Sequence, residues 1–154
     1  MLNITKTIIK TQQASIALQS ATDKQIKKTL NDLAAALLQH SVTVLRANAK
    51  DVAKQDAANP RTDRLLLTTA RIKAISDSIK KVSRLPMPGG KRLDRRVLKN
   101  GLKLQRITTP LGVVAAIYES RPNVTYDIAA LCLRNRNACL LMGSSEDVNS
   151  NKAT

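Results

Sequence analysis

The stretch from Pro110 to Thr125 constrains this chain more than any other. A turn at Thr109-Pro110-Leu111-Gly112 leads into an apolar, β-branched-rich run, Val113 to Ile117, which breaks abruptly into a polar corner, Glu119 to Asn123. A buried strand that ends in a polar corner and opens a helix is how α/β proteins present functional groups at the carboxyl end of a strand. Val124, Ile128, Leu131 and Cys132 then recur along one helical face, which Asn123 is placed to cap. Ala138 to Met142 predicts a second strand, and Gly143-Ser144-Ser145-Glu146 a loop entering another helix. Residues 110–154 thus read as a strand–helix–strand unit.

The preceding sequence is helical in pattern to about residue 85. Thr22-Asp23-Lys24-Gln25 fits a capping box, followed by an apolar stripe of Ile26, Leu30, Leu33, Leu37 and Leu38. Ser41 is expected to cap a helix with the stripe Val42, Leu45, Ala49 and Val52, stopped by Asn59-Pro60. A further stripe, Ile72, Ile75, Ile79 and Val82, follows Thr68 and Thr69 as possible caps. A less regular helix beginning near Asn3 carries Ile4, Ile8, Ile9 and Ile16. Leu85-Pro86-Met87-Pro88-Gly89-Gly90 marks the clearest boundary, and Asn100-Gly101 between two extended runs predicts a β-hairpin. The expected organisation is a helical part, 1–85, a linker and hairpin, 86–109, and the strand–helix–strand unit, 110–154. Two parallel strands leave a sheet edge without a partner, so the chain reads as the opening portion of a larger α/β fold.

With 154 residues, two Tyr and no Phe or Trp, the core must be built from aliphatic side chains. The net charge of +15 invites a nucleic-acid reading. The scarcity of aromatics for base stacking and the absence of a docking motif argue against it, and anionic small substrates suit the charge equally. Cys132 and Cys139 sit in apolar surroundings, as reduced core thiols of a cytoplasmic protein do. No signal peptide, transit sequence or membrane span is expected.

The string Tyr118-Glu119-Ser120-Arg121-Pro122-Asn123-Val124-Thr125 closely resembles the corresponding stretch of the glutamate-5-semialdehyde dehydrogenases, or γ-glutamyl phosphate reductases, of the aldehyde dehydrogenase superfamily. Ala47-Asn48-Ala49-Lys50-Asp51, Asp63 to Thr68, Arg71-Ile72, Asn100-Gly101-Leu102, Asn137-Ala138 and Ser150-Asn151 stand in the family's order and spacing. The similarity covers nearly the whole chain and about the first third of a family member. It implies an aldehyde dehydrogenase-like α/β fold, truncated after the first strand–helix–strand unit of a Rossmann-like cofactor domain. It also implies NADPH-dependent reduction of L-glutamyl 5-phosphate to glutamate 5-semialdehyde, in proline biosynthesis, through a cysteine thioester. The nucleophilic cysteine would lie outside this chain, and Cys132 and Cys139 do not match it.

By the same resemblance, Asn123 would support the oxyanion and Arg121 would bind a substrate carboxylate or phosphate, the latter in competition with a surface pair to Glu119. Ser144, Ser145 and Glu146 would contact the cofactor's adenosine ribose. Met142-Gly143-Ser144 stands where members usually have Lys or Arg and two glycines, which weakens recognition of a 2′-phosphate. Arg136 replaces a usual glycine at a position expected to be left-handed, at a cost of about 1 kcal/mol. The expected behaviour is an inactive fragment prone to self-association. The rival reading is a truncated, non-catalytic basic module for binding or interaction.

Overall fold

The structure, a computed structural model, describes residues 4–56, 59, 62–119 and 121–153. Asn3, Pro60, Ser120 and Thr154, on which parts of the sequence reading fell, lie outside the described residues. Helices α1 (Ile4–Gln19), α2 (Asp23–Gln39), α3 (Ser41–Val52), the short α4 (Thr62–Leu65) and α5 (Thr69–Arg84) come first. A hairpin, β1 (Arg92–Val97) and β2 (Lys103–Ile107), follows. Strand β3 (Val113–Ile117), α6 (Pro122–Arg134), β4 (Ala138–Met142), a 3-10 turn (Ser145–Asp147) and α7 (Val148–Ala153) complete it.

Local chemistry starts the helices where the sequence signals them. Thr22 and Gln25 form the reciprocal capping box of α2, and the Thr68 hydroxyl accepts from the Arg71 amide at the start of α5. The core is the apolar seam where α2, α5 and α6 meet, built from Ile26, Leu30, Ala34, Leu37, Ile72, Ile75, Ile79, Tyr126 and Ala130. Its small members bring the backbones close. Buried Ser76 donates its hydroxyl proton to the Ala34 carbonyl at 2.9 Å, joining α5 to α2. Arg134, only 1% exposed, ties three helix ends together: it donates to Asp23 at 2.6 Å and, through Nε, to the Leu85 carbonyl at 2.8 Å. The Lys27 ammonium and the Arg134 guanidinium hold the Asp23 carboxyl below its usual range.

Several sequence expectations require correction. Helix α3 opens at Ser41, so Ser41 is not its cap. His40 takes that position without a side-chain hydrogen bond. The same helix ends at Val52, well before Asn59, because Lys54 and Gln55 turn back to the Asp51 and Val52 carbonyls. Its buried face is Val44, Asn48 and Asp51, while Val42 is exposed. Polar partners in the segment around Leu67 and in α7 draw that face inward. On α6 the fully buried row is Pro122, Tyr126, Ala130, Arg134 and Cys132, whereas Leu131 is exposed. The core seam lies on the side of Tyr126, one step round the helix from the expected face.

The hairpin forms with β1 and β2 antiparallel, through a longer turn than a two-residue loop. Gly101 alone of the pair has positive φ, 83°, and its amide bonds to the Leu98 carbonyl, so residues 98–102 close the turn. The parallel pair β3–β4 forms in register from Val113↔Ala138 to Ile117↔Met142. Strand β3 is not the fully buried strand expected: Ile117 is 80% exposed. A two-stranded sheet leaves one edge of each strand without a neighbour, and α1 and α6 cover only part of its surface.

Candidate functional site

Parallel strands joined by a crossover helix end side by side, so the corner after β3 and the corner after β4 share one edge of the sheet. The Tyr118 amide donates to the Met142 carbonyl at 3.1 Å, extending the pairing one residue past the strand ends. Beyond that bond the two segments diverge, one into α6 and the other into the 3-10 turn and α7. The sequence-predicted residues Arg121 and Asn123 stand at the first corner and Ser144, Ser145 and Glu146 at the second.

A polar chain fixes these corners relative to one another. Thr125 on α6 donates its only hydroxyl proton to Asn151 of α7 at 3.1 Å, so the Tyr118 hydroxyl must donate to Thr125, at 2.5 Å. A second network anchors α7 from below. Both oxygens of Asp51 accept from the start of that helix: Oδ1 from the Asn149 amide at 3.2 Å and side chain at 2.6 Å, Oδ2 from the Ser150 amide and hydroxyl, each at 2.7 Å. Burial pushes the Asp51 carboxyl up, but these donors outweigh it and hold it below its ordinary value. Neighbouring Asn48 donates to Ser150 at 3.1 Å and to the Leu65 carbonyl at 2.9 Å, and accepts from the Leu67 amide at 2.7 Å. The polar side of α3 is therefore the bracket that holds both α7 and the segment around Leu67.

That segment forms one wall of a cleft of about 470 Å³ whose other wall is the start of α6. Asp63, Arg64, Leu66, Leu67 and Arg71 line it with Ala74, Ile75 and Ser78 of α5, and with Arg121, Asn123 and Asp127. Asn123 does not cap α6. Arg121 holds the cap position with no side-chain bond, and Pro122 opens the helix because its fixed φ and missing N–H suit the first turn. Asn123 is thereby inside the helix, half-buried, and its amide makes no hydrogen bond to any described residue. Arg121 is exposed and forms no ion pair with Glu119 among the described residues, so the guanidinium is left to the cleft.

Arg71 and Asp127 were not singled out as site residues in the sequence. Arg71 is engaged through both terminal nitrogens: Nη2 makes two bonds to the Asp63 carboxylate, at 2.9 and 3.1 Å, and Nη1 bonds to the carbonyls of Asp63 and Leu66. Asp127 follows Asn123 by four residues, the spacing that puts two side chains on one helix face, which is the signal that could have found it. Among the described residues it accepts only a long bond, 3.4 Å, from Ser78.

At the second corner, Ser144 accepts from the Glu146 amide at 3.1 Å and sits 3.4 Å from Asp147 Oδ1. Gly143 has no room for a side chain, because a Cβ would collide with the Asn151 amide and press on Asp147. Asp147 is buried with Oδ2 unbonded among the described residues. Burial, with the Asp51 charge adding to it, pushes its carboxyl up. Cys132 is buried, Cys139 half-buried, and both are free thiols. Burial, with Cys139 beside it, pushes the Cys132 thiol up to about 11. Neither lines the cleft, and a protonated thiol is a poor nucleophile.

No protein-family model matches the chain. It is 47% identical over 150 residues to a gamma-glutamyl phosphate reductase of Chlorobium phaeobacteroides, an alignment covering 97% of this chain and 36% of that protein. Among solved structures, it matches the gamma-glutamyl phosphate reductase of Thermotoga maritima with a TM-score of 0.88 and 35% identity, over 94% of this chain and 36% of that one. The Saccharomyces cerevisiae enzyme matches with a TM-score of 0.85 and 31% identity, over 92% and 37%. The chain thus spans about a third of the length of the relatives it matches.

Proposed function

Because this chain corresponds in sequence and fold to the N-terminal part of gamma-glutamyl phosphate reductases, we propose that it supplies the leading portion of an oxidoreductase acting on L-glutamyl 5-phosphate. The observation that carries this reading is the Asn123 amide, unbonded among the described residues and lining a cleft at the carboxyl edge of β3. When a thiolate from outside these 154 residues adds to the acyl phosphate, negative charge develops on the carbonyl oxygen. An amide N–H without a protein partner donates to that charge without breaking a bond within the protein, worth roughly 3 kcal/mol in the transition state. Arg121 binds an anionic part of the substrate.

In this reading a nicotinamide dinucleotide supplies hydride when bound. Ser145 and Glu146 offer a hydroxyl and a carboxylate suited to a ribose. Ser144 is committed to the turn, and residues 142–147 carry no cation, so this corner does not fit a 2′-phosphate. A cytoplasmic setting accords with two free cysteines. No helix among the described residues is long and apolar enough to cross a membrane.

The test joins this chain to the remaining two thirds of a relative and assays the reverse reaction, with glutamate 5-semialdehyde, phosphate and dinucleotide. Reduced dinucleotide should form with the joined protein and not with the 154-residue chain alone. A joined protein that folds and shows no rate overturns the reading. One observation favours the basic-module alternative: the hairpin exposes Lys91, Arg92, Arg95, Arg96, Lys103 and Arg106. Tight, saturable polyanion binding by the hairpin, with an inert joined protein, would establish it.

A further inference from the structure

The charges of the cleft do not all cancel. Asp63 and Arg71 neutralise one another, and Nη1 of Arg71 goes to two backbone carbonyls, so that pair is wall rather than ligand. Among the described residues, Arg121 and Arg64 remain as cations without an ion pair, and Asp127 as an acid bonded only by the Ser78 hydroxyl. The floor between them, Leu66, Ala74 and Ile75, is apolar. A cleft with unpaired guanidinium groups, a separate carboxylate and an apolar floor complements a zwitterion carrying a short methylene chain.

Resting on the reductase reading above, we propose that this cleft holds the α-amino-acid end of the substrate. Arg121 pairs with the α-carboxylate, and Asp127, oriented by Ser78, pairs with the α-ammonium. The spacing agrees with the chemistry. Asp127 stands four residues, about 6 Å along the helix axis, beyond Asn123. In a glutamyl group the α-carbon lies three carbon–carbon bonds from the carbonyl carbon on which the Asn123 amide would act. Asp127 thereby distinguishes an amino acid from a simple dicarboxylate, a specificity that Arg121 alone does not provide.

The 154-residue chain itself permits the test, by amide NMR titration with three probes. L-Glutamate carries both α-groups, glutarate lacks the ammonium and 4-aminobutanoate lacks the α-carboxylate. L-Glutamate should perturb Asn123, Asp127 and Ser78 saturably, with the other two at least tenfold weaker. Asp127→Asn should bring L-glutamate down to the level of glutarate without weakening glutarate. Arg121→Gln should bring it down to the level of 4-aminobutanoate. Both positions lie outside the apolar core, and unchanged dispersion of the spectrum confirms folding. Glutarate binding as tightly as L-glutamate, a preference that survives Asp127→Asn, or no saturable shift at the cleft would each overturn the proposal. If the joined enzyme turns over but this contrast is missing, only the subsite falls. If the contrast is present and the joined enzyme is inert, only the reductase reading falls.

Discussion

At the residue scale, the structure separates roles that one asparagine would otherwise combine. Asn123 lies past the cap position and its amide bonds to nothing among the described residues. Asn123→Ala should therefore leave stability within about 0.5 kcal/mol. In the joined enzyme it should lower kcat by about a hundredfold, with KM nearly unchanged, if the amide serves the oxyanion. Asn123→Asp sharpens the comparison. A carboxylate in the first turn suits the helix dipole but repels an oxyanion, so stability should hold or rise while the rate falls. Full activity in Asn123→Asp, measured beside a denaturant melt, removes the catalytic role. A second residue-scale prediction concerns Asp147, whose carboxyl is pushed up by burial. The folded state then binds that proton more tightly than the unfolded state, so Asp147 erodes stability as pH rises from the ordinary 3.8 through the raised value. Asp147→Asn has no such loss. The stability of the variant relative to the parent should climb over that interval in urea melts and then level off. A difference independent of pH would refute it.

At the element scale, signals carried by short-range chemistry were legible and those depending on distant partners were not. The capping box at Thr22 and Gln25, the Thr68 cap, the hairpin and the strand–helix–strand order were all readable, because each is decided within a few residues. The buried face of α3 differs from its apolar stripe because Asn48 and Asp51 are drawn inward by Leu65, Leu67, Asn149 and Ser150, the last two about a hundred residues away. The resemblance had marked those same residues without giving a reason. The reason is the bracket they form under the cleft wall and α7. Asp51→Ala would strand buried donors and should cost roughly 3 kcal/mol in a denaturant melt. The candidate site was legible in the same partial way: its corner was visible in one string, but Asp127 comes to the cleft only because α6 is set against α5. The connection from α6 to β4 supports a sharper test. Among the described residues, Arg136 is the only non-glycine with positive φ, 57°, and its Nε is buried without a partner. Arg136→Gly relieves both, and should raise stability by about 1 kcal/mol. A loss of stability would show that the side chain contributes a contact worth more than the backbone strain.

At the scale of the whole molecule, two opposing forces decide how the protein behaves in solution. Apolar side chains stand exposed in three places: Ile4, Ile8, Ile9 and Ile16 along α1, Leu93, Val97, Leu102, Leu104 and Ile107 on the hairpin, and Leu111, Ile117 and Met142 around the small sheet. Their stripe on α1 was readable from spacing, but its exposure was not, since spacing tells that a face is apolar and never what covers it. Such surface favours association. The net charge of +15 opposes it, by repulsion between copies. Repulsion among exposed charges depends on ionic strength, with a Debye length of about 8 Å at 0.15 M salt and about 3 Å at 1 M. Burial of apolar surface does not weaken with salt in this way. Self-association should therefore be least in dilute salt and grow as sodium chloride is added, with a hydrophobic dye bound throughout. Light scattering across a salt series measures this directly. Substituting Ile8 and Ile16 by Lys should delay the onset to higher salt by removing apolar area and adding charge, without disturbing a core to which neither contributes. A chain that stays monomeric at 1 M salt, binds no dye and melts in one sharp transition would mean that these exposed side chains do not act as a sticky surface.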